Sequence, residues 1–574
     1  MSRPLAAGAL AWLAIGGQMA HPASPPAVFG ADGGIASRSL LASEAAADML
    51  RQGGNAVDAA VAGGFALAVT WPSAGNLGGG GFMVIRMADG TTATNDHREK
   101  APGGAARDMY LDGNGDVIAG LSTDSHLASG VPGSVDGLLA ALEKFGTMSR
   151  RQVLQPAIGL ARDGFALPRD MAQAFARRRD QFAQYPGSAA KFARADGSPY
   201  EAGETFRQPD LAASLERIRD KGRAGFYAGP TADLIVAEMQ RGGGLITHED
   251  LAAYESVWRQ PVTGSYRGHE IVSMPPPSSG GALLVQMLNM LEPYDIGEMG
   301  FGSAAAAHHL IEAERRAYAD RAEYLGDPDF YPVPLARLTA KGYARERFAD
   351  FNPEKASRSV DIGAGAAPPA ESPDTTHLSV IDGEGNAVAY TTTLNLSYGS
   401  KIVAEGTGIL LNNEMDDFSA KPDTPNAFGL IGREANAIAP GKRMLSSMTP
   451  TLVIKDGRTV LATGSPGGST IITTVLQVVV NTVDHGMAVS DAVGVPRFHH
   501  QWLPDRVVHE PFALSPDTLS LLRAMGHEGL VAWTFGRGIG DANSVARDGR
   551  GIFAMADPRN TGGAVGVSLA AEEQ

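Results

Sequence analysis

The chain has 574 residues, of which 44% are hydrophobic and 19% charged, values typical of a soluble globular protein. Its net charge of −15 is spread without long acidic runs. This charge argues against nucleic acid or an anionic membrane as a partner, because both demand basic patches. The absence of cysteine excludes disulfides, thiolate metal sites and a cysteine nucleophile. Length alone predicts roughly three or four domains' worth of chain.

The N-terminus resembles a secretory signal. Arg3 precedes a short apolar stretch over residues 4–17, and small residues follow as far as Ala23. The apolar stretch is too short to span a bilayer, and no clear small-x-small cleavage site follows it. A frayed apolar N-terminus is the alternative interpretation. We expect a signal peptide and leader over residues 1–27, and a periplasmic or secreted protein without a membrane span, which suits a chain without cysteine.

Two helices and a glycine cluster follow the leader. Residues 43–50 and 55–69 carry helical periodicity and are separated by Gly53 and Gly54. The glycine cluster over residues 74–82 leads into a strand over residues 83–86. It precedes a strand instead of joining a strand to a helix, so a phosphate-binding loop fails on context. Close packing of the backbone under a strand is the better interpretation.

The middle of the chain is mostly helical. Residues 112–116 resemble the start of a calcium loop, but Val117 and Thr123 replace its glycine and glutamate, so a hairpin turn is predicted. Residues 150–260 alternate helical blocks with Gly and Pro breaks and predict a covering helical layer. An apolar helix runs to Leu291 after the segment 275–281. A further amphipathic helix covers residues 304–325.

The helix over residues 304–325 raises the question of a metal site. His308, His309 and Glu312 lie on it at spacings that could suggest metal ligands. With no further ligand in the pattern, the set is predicted to be an ordinary helix face.

A small-residue run over residues 363–370 meets a strand pattern at residues 371–380. Strands over residues 378–381 and 387–393 flank a turn, which predicts a β-hairpin. A precursor can be cut where such a segment meets a strand, and the cut would leave Thr375 as a new N-terminus. An N-terminal threonine can use its own α-amine to deprotonate its hydroxyl. The alternative is a loop entering an ordinary threonine-rich strand, and this stretch alone favours that alternative.

The C-terminal part begins with a strand pattern over residues 408–418 that ends in an acidic, amide-rich turn, followed by a loop over residues 421–440. Strands over residues 451–455 and 459–463 lead to a glycine-rich segment, residues 464–469, and a helix over residues 470–483. Glycines at a helix N-terminus present N–H groups that suit an oxyanion or a carboxylate, although a tight strand-to-helix turn explains them equally well.

Several of these segments together resemble one family. They are Thr375-Thr376-His377, residues 411–418, Ser446-Ser447, residues 464–469, and the N-terminal segments 53–60 and 74–82. From about residue 28 onward the chain is similar to the γ-glutamyltransferases (γ-glutamyltranspeptidases), which are N-terminal-nucleophile hydrolases. The resemblance implies an α/β (α+β) fold, a four-layer αββα sandwich. It also implies cleavage into a large subunit, residues 28–374, and a small catalytic subunit, residues 375–574, interlaced as a heterodimer. This replaces the domain count suggested by length.

The resemblance also assigns roles to individual positions. Cleavage would follow Asp374, and Thr375 would become the nucleophile, hydrogen-bonded by Thr393. The N–H groups of Gly467 and Gly468 would hold the oxyanion. The α-carboxylate of a γ-glutamyl substrate would be bound by Arg98, Ser446 and Ser447, and its α-ammonium by Asn395, Glu414 and Asp417. Such a zwitterion needs a cation and anionic or neutral acceptors, so these residue types make physical sense. No metal or organic cofactor is implied.

Two positions depart from the family pattern. Phe428, in the lid segment over residues 422–433, stands where bacterial relatives typically have tyrosine, so the gate keeps a ring without a hydroxyl. Lys100 adds a charge near Arg98 where some relatives are apolar, and it could tune the pocket.

The predicted function is hydrolysis and transfer of γ-glutamyl groups from glutathione-like amides, through an ester on Thr375 resolved by water, an amino acid or a dipeptide. A cephalosporin (glutaryl amide) acylase of the same family is the first alternative, and the presence of both Arg98 and Asp417 favours γ-glutamyl. A secreted, inactive amino-acid-binding relative is the second alternative, and the intact Thr375 and Thr393 argue against it.

Overall fold

The computed structural model describes residues 24–363 and 375–569, except residues 422, 423, 425, 428, 429, 431 and 535–537. Most of the predicted signal peptide, the predicted cleavage segment before Thr375, and Phe428 therefore lie outside the described residues. Within the described part of the chain, no helix combines the length and apolar character needed to cross a bilayer.

The strands, in chain order, are β1 (Val28–Gly30), β2 (Gly33–Ser37), β3 (Gly80–Arg86), β4 (Thr92–His97), β5 (Phe165–Ala166), β6 (Thr205–Phe206), β7 (Val257–Arg259), β8 (Val262–Tyr266), β9 (His269–Ser273), β10 (Thr375–Asp382), β11 (Ala387–Thr393), β12 (Val403–Ala404), β13 (Ile409–Leu410), β14 (Thr451–Lys455), β15 (Arg458–Thr463), β16 (Phe498–His499), β17 (Val507–His509), β18 (Leu530–Ala532), β19 (Ser544–Asp548), β20 (Gly551–Met555) and β21 (Gly563–Val567).

The α-helices are α1 (Leu40–Arg51), α2 (Ala56–Thr70), α3 (Ser134–Phe145), α4 (Arg150–Asp163), α5 (Arg169–Arg177), α6 (Arg179–Phe182), α7 (Pro186–Phe192), α8 (Pro209–Lys221), α9 (Ala224–Tyr227), α10 (Gly229–Gly242), α11 (His248–Ala252), α12 (Gly280–Leu291), α13 (Ile296–Met299), α14 (Ala304–Tyr324), α15 (Leu335–Leu338), α16 (Lys341–Arg347), α17 (Ser359–Ile362), α18 (Thr470–Val483), α19 (Val489–Gly494) and α20 (Pro516–Met525). Short 3₁₀ helices cover His126–Ala128, Glu414–Asp417 and Glu434–Asn436.

Two seven-stranded sheets form the centre of the molecule. One has the order β1-β20-β19-β15-β14-β9-β8, and the other has the order β21-β2-β10-β11-β3-β4-β7. Each sheet combines strands from before and after the segment 364–374. Within the second sheet, β10 lies between β2 and β11, and its register pairs Thr375 with Thr393.

The hydrophobic core fills three interfaces: one between the two sheets, and one between each sheet and the helices that cover it. This follows because successive residues of a strand face opposite sides of its sheet. In β11, Ala387 and Ala389 pack between the sheets, whereas Val388 and Tyr390 pack against α1 and α2. On the other side, residues of β14 and β15 pack against α12, α14 and α18. The layers are thus helix, sheet, sheet, helix, which confirms the predicted αββα sandwich.

The elements predicted from periodicity are confirmed, with small shifts at their ends. Helices α2, α14 and α18 and strands β14 and β15 lie where they were predicted. The segment 112–116 forms the predicted turn, in which Gly115 N donates to Asp112 O at 3.0 Å. The strand predicted over residues 408–418 is wrong in extent, because only Ile409–Leu410 is extended and Glu414–Asp417 is a 3₁₀ turn.

The glycine cluster packs closely against neighbouring backbone, as predicted. A Cβ on Gly79 would lie 2.1 Å from the carbonyl oxygen of Thr393, and a Cβ on Gly80 would lie 2.5 Å from Oε2 of Glu99. A side chain at Gly79 would displace the end of β11, and a side chain at Gly80 would displace Glu99. The cluster therefore holds Thr393 in place, and β3 begins within it because Gly80 and Gly81 pair with Thr393 and Thr392.

Candidate active site

Thr375 is the first residue of β10 and stands directly opposite Thr393, the last residue of β11. The Thr375 Oγ1 donates a hydrogen bond to the Thr393 Oγ1 at 3.3 Å, and Thr375 is 8% exposed. Thr393 Oγ1 also accepts a hydrogen bond from the backbone N–H of Asn395 at 2.8 Å. The threonine hydroxyl is thus held at the end of two central strands with little water around it.

His377 lies on the same face of β10 as Thr375, but both of its ring nitrogens are engaged elsewhere. Nδ1 lies 2.8 Å from Thr391 Oγ1, and Nε2 lies 2.9 Å from Ser379 Oγ. Burial lowers the pKa of His377 to about 3. This histidine is therefore neutral and is not positioned to take the proton of Thr375.

Gly467 and Gly468 form the turn from β15 into α18. Their φ angles are +135° and +56°, which a residue with a side chain rarely adopts. Neither backbone N–H donates to a backbone carbonyl of the described residues. These N–H groups precede a 14-residue helix, where the macrodipole favours negative charge. The turn can therefore stabilise an oxyanion that forms next to Thr375.

A small cavity, with about 20 Å³ of space for the centres of water-sized molecules, brings nearly all the predicted residues together. It is lined by Arg98, Thr375, Thr393, Asn395, Glu414, Asp417, Leu430, Ser446, Ser447, Met448, Gly468 and Ile471. We call it the head cavity. Gly467 lies outside this lining.

Arg98 is fully buried and pairs inside the protein with two of the predicted ammonium ligands. Its Nη1 donates to Glu414 Oε1 and its Nη2 to Asp417 Oδ2, and its Nε donates to Met444 O at 3.2 Å. A zwitterionic ligand could replace this internal pairing, since its carboxylate would take Arg98 and its ammonium would take the two acids. Two internal ion pairs would be replaced by three pairs with the ligand, one on Arg98 and one on each of the two acids.

Two buried acceptors on the head cavity have no hydrogen-bond partner among the described residues. They are Asn395 Oδ1 and Glu414 Oε2. Asn395 adopts a φ of +74°, which asparagine tolerates better than most residues, and its Nδ2 donates to Asn413 O at 2.9 Å. The Oδ1 atom of Asn395 therefore points away from Asn413. Buried acceptors without partners are costly, so these positions suit a ligand with several N–H donors.

Glu99 is a third carboxylate near Arg98 that sequence reasoning did not single out. It is fully buried, its Oε2 lies 3.6 Å from Arg98 Nη1, and neither of its oxygens has a hydrogen-bond partner in the part of the chain that the structure describes. Burial raises the pKa of Glu99 to about 7, and burial likewise raises the pKa of Glu414 and Asp417. The cluster therefore retains a proton to higher pH than free carboxylates do.

Arg321 of α14 is a second buried cation that sequence reasoning missed. It is 4% exposed; its Nη2 donates to Ser447 Oγ at 3.3 Å and its Nε donates to Ser279 Oγ at 3.0 Å. Among the described residues it has no carboxylate within ion-pair distance. Burial lowers its pKa to about 10. It stands behind Ser447 and adds positive potential where Ser446 and Ser447 meet the head cavity.

Of the two positions that depart from the family pattern, the structure describes only Lys100. Lys100 does not line the head cavity; its Nζ lies 5.6 Å from the ring centre of Tyr254, and burial lowers its pKa. Phe428 lies outside the described residues. The described neighbours of Phe428 contact the site, since Asn426 Nδ2 donates to Asp417 Oδ1 at 3.1 Å and Leu430 lines the cavity.

His308 of α14 contacts a histidine that lies outside its own helix, which the sequence pattern did not predict. His308 Nδ1 lies 2.8 Å from Nε2 of His527, and Glu312 completes a buried group of three. Glu312 accepts hydrogen bonds from Arg315 at 3.2 Å and Arg316 at 2.6 Å. The carboxylate is thus neutralised by guanidinium groups, and the group acts as a buried polar network.

Comparison with known proteins agrees with this geometry. The family model described as gamma-glutamyltranspeptidase matches residues 42–567. A protein of Escherichia coli (strain K12), named glutathione hydrolase proenzyme, is 51% identical over 553 residues, covering 94% of each chain. A protein of the same name from Pseudomonas sp. (strain A14) is 49% identical over 509 residues, covering 88% of each chain.

Among solved structures, a cephalosporin acylase from Bacillus halodurans superposes with a TM-score of 0.83 at 25% identity, covering 96% of this chain and 98% of that chain.

Proposed function

This chain belongs to the γ-glutamyltranspeptidase family, and we propose that it transfers the γ-glutamyl group of glutathione-like amides through Thr375 to water or to an amine. The observation that carries this proposal is the placement of the Thr375 hydroxyl on the same small cavity as Arg98 and the unpartnered acceptors of Asn395 and Glu414. A γ-glutamyl head carries the carboxylate and the ammonium that these groups match.

Maturation is the first step of the proposed mechanism. The Thr375 Oγ1 attacks the carbonyl carbon of Asp374, the peptide nitrogen leaves, and an ester forms that water opens. The products are a large subunit, residues 28–374, and a small subunit, residues 375–574. The sheet order supports a stable heterodimer, because β10 and β11 of the small subunit lie between β2 and β3 of the large one.

Catalysis then uses the new α-amine of Thr375 as the base. It takes the hydroxyl proton while Oγ1 attacks the γ-carbonyl carbon, and the Gly467 and Gly468 N–H groups bind the resulting oxyanion. The leaving amine takes that proton, and a γ-glutamyl ester remains on Thr375. Water or a second amine opens the ester. The engaged nitrogens of His377 support the α-amine in this role.

The roles around the head cavity follow from its charges. Arg98 binds the α-carboxylate together with the hydroxyls of Ser446 and Ser447. The acceptors of Asn395, Glu414 and Asp417 bind the α-ammonium. Phe428, in the segment that contacts Asp417, covers the bound acyl group and slows the entry of water.

A glutaryl amide acylase is the second candidate, and the likeness to a cephalosporin acylase supports it. A glutaryl group keeps the carboxylate that Arg98 would bind, but it lacks the α-ammonium. The unpartnered acceptors of the head cavity would then stay unsatisfied, so they favour the γ-glutamyl group.

Turnover of γ-glutamyl-p-nitroanilide and glutaryl-p-nitroanilide by the purified protein tests the proposal. We expect faster turnover of the γ-glutamyl compound, together with two chains whose masses place the cut before Thr375. Equal rates would favour the acylase, and an uncut, inactive chain would favour a binding protein. We also propose that the protein is exported to the periplasm or the medium.

A further inference from the structure

A second and much larger cavity lies on the other side of Thr375. It has about 410 Å³ of space for the centres of water-sized molecules. Thr375 lines both cavities, whereas Gly468 lines only the head cavity and Gly467 only the larger one. A carbonyl held over Thr375 by these two glycines would therefore direct its acyl group into the head cavity. The group on the other side of the scissile bond would enter the larger cavity, which we call the amine cavity.

Among the described residues, four arginines line the amine cavity, and two of them are neutralised within the protein. Arg38 lies 3.2 Å from Asp541 and 3.6 Å from Asp170, both of which line the same cavity. Arg559 pairs with Glu510 at 2.6 Å and with Asp557 at 3.1 Å. The positive charges of Arg38 and Arg559 are therefore balanced by these carboxylates.

The other two arginines have no acidic partner among the described residues. Arg177 is the last residue of α5 and is exposed, and Arg178 caps that helix and is half-buried. The Arg178 guanidinium carbon lies 5.2 Å from the ring centre of Tyr398, which holds the side chain over the cavity wall. Adjacent guanidinium groups on one wall, without carboxylates to pair them, form a site for an anion.

We propose that Arg177 and Arg178 bind the carboxylate of the amine that leaves or accepts the γ-glutamyl group, and that these two side chains distinguish amines with a carboxylate from amines without one. This inference rests on the proposed function. In the acceptor step, the amine nitrogen attacks the ester carbonyl, the new C–N bond forms, and the bond to Thr375 Oγ1 breaks. The amine proton passes through the Thr375 α-amine to Oγ1, which restores the hydroxyl.

The exposure of Arg177 limits how strongly the site can prefer an acceptor that carries a carboxylate. Partly solvated ion pairs contribute about 0.2–1 kcal/mol each, so two contacts correspond to about a twofold to thirtyfold preference for a carboxylate. Such contacts weaken as salt is added, because the Debye length falls from about 10 Å at 0.1 M to about 3 Å at 1 M.

The test compares glycylglycine with glycylglycinamide as acceptors for γ-glutamyl-p-nitroanilide. The two acceptors share the attacking amine, and only the first has a carboxylate. The variant is Arg177→Gln/Arg178→Gln, and the matched control is Arg179→Gln, because Arg179 is the next residue and does not line the cavity. For each protein we would measure kcat/KM for both acceptors and the hydrolysis rate without acceptor.

We expect the ratio of kcat/KM for glycylglycine to that for glycylglycinamide to fall about twofold to thirtyfold in the double variant and to stay at the wild-type value in Arg179→Gln. Because amine reactivity is the same for every variant, it cancels from this comparison. Salt should lower the wild-type ratio, and Arg177→Lys/Arg178→Lys should restore part of it.

An unchanged ratio in the double variant would overturn the inference, and so would an equal loss for both acceptors and for hydrolysis. A wild-type protein that does not hydrolyse γ-glutamyl-p-nitroanilide at all would instead overturn the proposed function.

Discussion

The Thr375 Oγ1 lies 3.3 Å from the Thr393 Oγ1 across the first residue pair of an antiparallel ladder. The register of β10 and β11 fixes this contact, since a slip of one residue would turn the Thr375 side chain to the opposite face of the sheet. Gly79 in turn packs closely against the carbonyl oxygen of Thr393, and Gly80 of β3 pairs with Thr393 in the sheet. The position of the proposed nucleophile is therefore a property of the whole sheet.

Thr375→Ala should remain a single chain of full mature length and should have no activity, because the hydroxyl is the proposed nucleophile of both maturation and catalysis. Electrophoresis under denaturing conditions and intact mass would show the result. The matched control is Thr376→Val, which has a similar shape and removes a buried hydroxyl without a hydrogen-bond partner among the residues that the structure describes. It should still split before Thr375. Cleavage of Thr375→Ala would mean that another group or a protease cuts the bond.

Much of this architecture could be predicted from the sequence, because periodicity and local turn chemistry specify single elements. Helix α18 and strand β14 were predicted at their observed ends. The resemblance to a family then supplied the arrangement of the sheets and the residues of the head cavity, including Arg98 and Asp417, which are 319 positions apart. Local patterns carry no information about such a distance.

What could not be predicted depends on the approach of distant side chains. Arg321 is one arginine among several on α14, and only its contact with Ser447, 126 positions away, relates it to the site. His527 likewise joins His308 across 219 positions. The amine cavity brings α5 next to Thr375, although α5 looked only like part of a helical layer.

The mature N-terminus should lie between residues 20 and 28. Signal removal sets the first limit. The second limit is set by β1, because Val28 pairs with Ala554 at the edge of the first sheet. N-terminal sequencing of protein from a fractionated cell checks this prediction. As a comparison, a chain that starts at Ser24 should have a higher thermal midpoint than one that starts at Ala31, which lacks β1. Protein that starts at Met1 in the soluble cytoplasm would contradict it.

Arg321→Gln should raise KM for γ-glutamyl amides about tenfold to a hundredfold with a smaller effect on kcat, because it removes a charged hydrogen-bond donor from Ser447. Arg321 acts through Ser447, so Arg321→Lys should recover part of the loss. The control is Arg316→Gln on the same helix. Arg316 is equally buried but pairs with Glu312, so its loss should lower the thermal midpoint instead. Equal effects of the two substitutions on both quantities would remove the proposed role.

Glu99 should make stability depend on pH. Burial raises its pKa to about 7, whereas an unfolded glutamate has a pKa of about 4.3. Between these two pKa values the folded protein holds a proton on Glu99 that the unfolded chain has lost. The resulting contribution to the free energy of unfolding is fully present below the lower pKa and is lost as the pH rises through 7. Glu99→Gln cannot lose a proton, so it should flatten the fall of the thermal midpoint between about pH 5 and pH 8. Parallel curves for the two proteins would contradict the assignment.

Three acyl amides separate the roles of Arg98 and Asp417. A γ-glutamyl amide carries both the carboxylate and the ammonium, a glutaryl amide carries only the carboxylate, and a butyryl amide carries neither. Losing one partner of a screened, charge-assisted contact costs about 2–5 kcal/mol, or about thirtyfold to several thousandfold in kcat/KM. Wild type should therefore prefer the γ-glutamyl amide over the glutaryl amide, and the glutaryl amide over the butyryl amide.

Arg98→Lys loses the paired geometry of the guanidinium, so it should lower kcat/KM for the γ-glutamyl and glutaryl amides and leave the butyryl amide unchanged. Asp417→Asn should lower kcat/KM for the γ-glutamyl amide about thirtyfold. It should not lower turnover of the glutaryl amide, because it frees Arg98 from one of its internal partners. Both variants should still split before Thr375, since the precursor's peptide bond presents no zwitterion. Equal losses on all three amides would mean that Arg98 and Asp417 support the cavity without binding the acyl head.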